Sequence, residues 1–142
     1  MTIDEIRPKP ELVRSLIEDC RKRLPYEACG VIFGDREGRR LVANGHAFVR
    51  NAAPNPERRF SFAPDDWIAV CYEAQKNQRS IVGLFHSHPI GPENPSRRDE
   101  RGLVPWESYW IVSFAEPGPK LTVYTRDNEK WIALPVVADS AE

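Results

Sequence analysis

The chain has no cysteine pair, no long apolar run and almost no net charge. Cys20, Cys29 and Cys71 are odd in number and widely spaced, so a disulfide framework is not expected. Reduced thiols and a cytoplasmic setting are expected instead. No apolar stretch approaches the roughly 20 residues of a membrane-spanning helix. The opening residues Met1 to Glu5 show no signal-peptide core, so no membrane association is anticipated. A net charge of -1 gives no global pull toward nucleic acid or an anionic surface. Repeats and low-complexity segments are absent, and the 13 prolines and 8 glycines are scattered as turn markers. What remains is an ordinary globular composition of 142 residues, 41% hydrophobic and 29% charged. Residues 1–142 are expected to form one domain that buries roughly two-thirds of its unfolded surface.

Apolar residues at Leu12, Val13, Leu16, Ile17 and Cys20 follow a helical period between Pro10 and Leu24, with Pro25 as the stop. Ala28 to Phe33 reads as a buried strand, Gly34 to Gly38 as a turn, and Arg40 to Arg50 as a returning strand. Asn44-Gly45 is either part of that strand or a tight turn inside it. Arg59 to Phe62 reads as a brief strand after a loop. Pro64-Asp65-Asp66 opens a second helix, its acidic residues suited to the positive end of the dipole. Trp67, Ile68, Cys71, Tyr72 and Gln75 are its expected inner face. Ser80 to Phe85, nearly all apolar, is the expected central strand. A short helix from Ser96 to about Leu103 follows, then strands over 108–114, 120–125 and 130–135. The pattern predicts an α/β domain with a mixed sheet between helices, a three-layer αβα arrangement.

Two of the three histidines fall together, in His86-Ser87-His88-Pro89 directly after the central strand. Residues two apart on a strand face one side, so both imidazoles would enter one pocket. Ser96 and Asp99 have the spacing of a helix N-cap and its third residue, which would aim the carboxylate back toward the strand end. Two His and one Asp leave a tetrahedral shell open at one position, as catalytic zinc sites are. Zinc there would lower the pKa of water from about 16 toward about 7. Such chemistry also needs a proton acceptor and a donor to the oxyanion. Glu27, at the mouth of the Ala28–Phe33 strand among small and apolar neighbours, is the best base in the sequence. Ser96 is the candidate donor.

Glu27, His86-Ser87-His88-Pro89 and Pro95-Ser96-x-x-Asp99 resemble the JAMM (MPN-plus) metallopeptidases, whose signature is a distant Glu, then H-[ST]-H-P, then S-x-x-D. Pro25-Tyr26-Glu27-Ala28-Cys29-Gly30, Arg59-Phe60 and Tyr109 to Ser113 resemble the compact bacterial branch, so the likeness covers about residues 10 to 135. The resemblance implies a cytidine-deaminase-like JAB/MPN fold and one Zn2+ per chain held by His86, His88 and Asp99. It implies Glu27 as general acid/base and Ser96 as the residue that helps polarise the scissile carbonyl. The implied reaction is cleavage after the C-terminal Gly-Gly of a ubiquitin-like or sulfur-carrier protein. Eight residues separate Asp99 from Ser108, little room for the substrate-clamping insertion of the eukaryotic deubiquitinases, so polyubiquitin linkage specificity is not expected.

Each part of the motif has a bland reading alone: a strand-end H-x-H without metal, a capping box at Ser96 and Asp99, a surface carboxylate at Glu27. Their joint order and spacing favour the metal site. Sulfur-carrier processing stands first. The alternatives are a deconjugating isopeptidase of an antiphage ubiquitin-like pathway, and a non-catalytic MPN scaffold, which the full residue set disfavours. A zinc deaminase is excluded because H-x-E and P-C-x-x-C are absent. Cys29 is expected to be a buried core thiol and His46 a strand surface residue outside the ligand set. Arg97, Arg98 and Arg101 are read as a solvated helix face. Trp106 and Tyr109 either wall the cleft or belong to the core.

Overall fold

The computed structural model describes residues 2–91, 106–128 and 130–139. Among the described residues nine elements run in the order β1 (Glu5–Pro8), α1 (Pro10–Arg21), β2 (Cys29–Glu37), β3 (Arg40–Phe48), α2 (Pro64–Lys76), β4 (Ile81–His88), β5 (Tyr109–Ser113), β6 (Lys120–Asp127) and β7 (Lys130–Ala133). The seven strands form one mixed sheet, ordered β1-β3-β2-β4-β5-β6-β7. The β1/β3 and β4/β5 pairs are parallel, and the others are antiparallel.

Alternation along the central strands divides the apolar side chains between two faces. Ile32, Phe85, Trp110, Val112 and Val123 face α1, which contributes Leu12, Leu16 and Cys20 at four-residue spacing. Leu16 and Trp110 are fully buried; truncating such a leucine to alanine costs about 2–5 kcal/mol. Val31, Phe33 and Leu84 face the other way, against Trp67, Val70 and Ala74 of α2. The result is the expected α/β arrangement, helix, sheet and helix in three layers. Both helices begin with proline at the first turn, where its missing N–H is no loss.

The segment after β7 reaches back to the other end of the sheet. Val137 N donates to Ile6 O at 2.9 Å, Ile6 N to Pro135 O at 3.0 Å, and Asp139 N to Pro8 O at 2.9 Å. The outer side of β1 is thereby paired, and the sheet curls around the α1 core. Among the described residues no helix is long and apolar enough to cross a membrane.

Several local expectations are corrected. Gly34 to Glu37 is not a turn: it continues β2, and the hairpin turns at Gly38 (φ 65°). Asn44-Gly45, by contrast, lies within β3 as the strand reading had it, at an irregularity where the register with β2 shifts between Phe33 and Gly34. Residues 59–62 form no strand, and only Phe62 makes an isolated bridge, to Asn51. α1 ends at Arg21, before Leu24. On α2 the inward residues are Trp67, Val70 and Ala74, whereas Ile68 and Tyr72 are 66% and 64% exposed. β1 was not anticipated. The helix expected from Ser96 lies outside the described residues.

Candidate functional site

His86 and His88 occupy the last turn of pleat in β4, on the face toward α2. Neighbouring β2 runs antiparallel to β4 with Cys29 opposite His86. Ser87 N donates to Ala28 O at 2.9 Å, continuing the ladder past the end of β2. Ala28 N donates not to a carbonyl but to Ser87 Oγ, at 2.8 Å. The next step of that ladder is Glu27 opposite His88. Two strand ends therefore bring Glu27 beside the two imidazoles, on the face that residues 27, 29, 86 and 88 share by alternation. The Ser87 hydroxyl, fully buried, is committed to pairing the two strands.

The site is buried at its base. His86 is 2% exposed, and Glu27 and His88 are each 8% exposed. The two Nε2 atoms lie 3.0 Å apart. Two zinc ligands at about 2.0–2.1 Å and a tetrahedral angle stand roughly 3.3 Å apart, so both nitrogens can address one cation. The same gap suits one imidazole donating to the other when no cation is present. Phe60 stacks on His86 with centroids 4.5 Å apart and planes 22° from parallel, fixing that ring's plane. The pair fits part of a zinc shell: two imidazole nitrogens, convergent and shielded from solvent. Among the described residues no three His, Cys, Asp or Glu side chains form a metal cage. Asp99, the expected third ligand, and Ser96 lie outside the described residues, as do Arg97, Arg98 and Arg101.

Glu27 is gripped through its backbone. Its N–H donates to Pro56 O at 2.7 Å, and its carbonyl accepts from Asn51 Nδ2 at 3.0 Å. A groove of about 860 Å³ opens beside it, lined by Leu24, Tyr26, Phe48, Arg50 and Asn51 among others. Cys29 is a buried thiol, as expected. Its Sγ donates to Val49 O at 3.3 Å. Burial, and then the nearby Glu27, pushes its pKa up to about 12, so at neutral pH it is protonated and a poor nucleophile.

The remaining candidates fall elsewhere. His46 is half-buried, not a surface residue: its ring packs edge-on to Phe48 and Phe85 in the α1 layer, away from His86. Tyr109 belongs to the core at 1% exposure, its hydroxyl accepting from Trp106 N at 2.7 Å. Trp106 packs edge-on to Trp67, which stacks on Phe62. Asn51 is the residue that motif reasoning passes over, since it carries no spacing signal; Phe60 entered through the family likeness, with no role foreseen at His86.

Residues 9–126 match the family model described as prokaryotic homologs of the JAB domain. A desampylase of Pyrococcus furiosus is 34% identical over 86 residues, 61% of this chain and 58% of that protein. A probable TtuB-protein conjugate cleaving protease of Thermus thermophilus is 29% identical over 105 residues, 71% of this chain and 64% of that protein. The chain thus spans less than two thirds of the length of both relatives. A solution structure of a protein from Desulfitobacterium hafniense superposes with a TM-score of 0.84 at 28% identity, covering 96% of this chain and 94% of that one. The chain belongs to the prokaryotic JAB-domain family.

Proposed function

We propose that this chain is a zinc metallopeptidase that hydrolyses a peptide or isopeptide bond after the C-terminal Gly-Gly of a ubiquitin-like or sulfur-carrier protein. The observation that carries the reading is the pair of buried imidazole nitrogens 3.0 Å apart at the end of β4, with Glu27 two residues before the start of the adjoining strand β2. His86, His88 and Asp99 are the ligand set in this proposal. Zinc held there supplies a Lewis acid that makes water nucleophilic near neutral pH. The Glu27 carboxylate takes the proton of the attacking water and delivers it to the leaving amine nitrogen. Its burial excludes bulk water from that transfer, and the backbone contacts to Pro56 and Asn51 hold it in place. Ser96 donates to the oxygen of the scissile carbonyl as negative charge develops there. The cytoplasmic location expected from the three unpaired cysteines belongs to the same proposal.

The relatives' names support the substrate class. One is named a probable TtuB-protein conjugate cleaving protease, which favours deconjugation as a second reading beside maturation of a linear extension. The non-catalytic scaffold is disfavoured by the retention of both histidines beside Glu27.

The test is incubation of purified protein with a panel of ubiquitin-like proteins, each extended beyond Gly-Gly by a peptide or an isopeptide-linked lysine, read by intact mass. The expected product ends at Gly-Gly and is absent with Glu27→Ala or o-phenanthroline. Cleavage that persists in both controls contradicts the proposal. A zinc-loaded protein inert toward the whole panel contradicts the Gly-Gly substrate class.

A further inference from the structure

We propose that Asn51 is a positioning residue for Glu27, acting through the loop between β3 and α2. The inference rests on Glu27 being the acid/base of the proposed reaction. Asn51 sits just past the end of β3, and its side-chain amide is fully engaged by four backbone groups. Nδ2 donates to Glu27 O at 3.0 Å and to Arg59 O at 2.9 Å. Oδ1 accepts from Ala53 N at 3.0 Å and from Ser61 N at 3.1 Å. A reversed amide would set its NH2 against two N–H groups, so the network allows one orientation only. One half-buried side chain thus ties together both arms of loop 51–61 and the backbone of Glu27.

The contacts with Glu27 lie on opposite sides of one residue. Its carbonyl is held by Asn51, and its N–H is held by Pro56 of the same loop at 2.7 Å. Phe60, farther along, stacks on His86. The loop therefore touches both the proton-transfer residue and one proposed ligand, and it fixes their separation. Glu27 itself precedes β2, where the sheet no longer sets its position in full. Asn51 supplies the missing constraint. The loop has other closures: Ala52 N donates to Ser61 O at 2.8 Å, and Ala63 N to Arg50 O at 2.9 Å. A change at Asn51 consequently loosens Glu27 without opening the fold.

Asn51→Asp keeps the shape and removes both donors, placing a carboxylate oxygen against the carbonyls of Glu27 and Arg59. Misplacing a reacting group by about 1 Å lowers turnover by about 100-fold. Asn51→Asp is expected to lower kcat by about 10- to 100-fold, with KM changed by no more than about twofold and zinc content equal to wild type. Amide exchange by NMR on protein without substrate is the second readout. The Glu27 and Ala28 amides should exchange at least about tenfold faster, with Val123 and Tyr124 in β6 unchanged. Asn51→Ala, which adds no charge, gives the same two results and serves if the aspartate variant does not fold. Wild-type kcat with unchanged Glu27 exchange would overturn the proposal. So would a joint loss of kcat, zinc and thermal stability in both variants, which would mark Asn51 as fold support. The exchange readout needs no turnover, so this inference stays decidable if the proposed substrate class fails.

Discussion

His46 Nε2 lies 3.3 Å from Asp19 Oδ2, yet the imidazole sits below its ordinary pKa. Burial is the larger cause and Asp19 opposes it, while Arg23 and Arg79 add to the lowering. A histidine whose folded pKa lies below its unfolded value of about 6.5 binds its proton first in the unfolded chain. Its contribution to stability is whole above about pH 6.5 and is lost as pH falls from there through the folded pKa. Urea midpoints of wild type and His46→Gln should therefore differ by a margin that shrinks as pH falls below about 6.5. A margin independent of pH would show that the ring is not held neutral. At this scale the sequence was readable where two residues share a strand face, as His86 and His88 do. It was silent on Asn51, because that side chain acts on backbone groups, whose positions leave no mark in residue type.

Glycine reports the close approach of strands within the sheet. A Cβ on Gly30 of β2 would lie 2.1 Å from Ala47 O and 2.6 Å from the Phe85 ring. Neither neighbour has freedom to yield, one being backbone and the other a core ring. Gly30→Ala should destabilise by at least about 1–3 kcal/mol, read as a lower urea midpoint with unchanged m-value. A midpoint equal to wild type would mean that the β2/β3 spacing is looser than described. Elements with strong local signals were legible: proline-opened helices at Pro10 and Pro64, and the apolar run of β4. β1 was not, since a strand of four residues, with Ile6 and Pro8 buried in alternation, is too short to carry a distinctive period. The outer half of β2 runs beyond the core, so its exposed Asp35, Arg36 and Glu37 read as a turn. Of the expected inner face of α2, Trp67 does pack toward the sheet, but Ile68 and Tyr72 do not. Val70 and Ala74 fit against Val31 and Leu84, and Ile68 and Tyr72 remain outside.

The described residues form a curled sheet with a helix on each face, and the proposed chemistry sits where two central strands stop together. The chain entering β2 supplies Glu27 and the end of β4 supplies His86 and His88, and the loop between β3 and α2 braces them through Asn51, Pro56 and Phe60. Fold and family were legible because the motif and the surrounding strands agree. The brace was not, since it joins residues distant in sequence through main-chain atoms. The most direct test of the account is zinc stoichiometry by native mass spectrometry of protein purified with zinc and desalted. One zinc per chain is expected in wild type and in Glu27→Gln, and less than about a tenth of that in His86→Gln. A folded wild type without zinc, or a His86→Gln protein that keeps it, would contradict the metal site on which the proposed reaction depends.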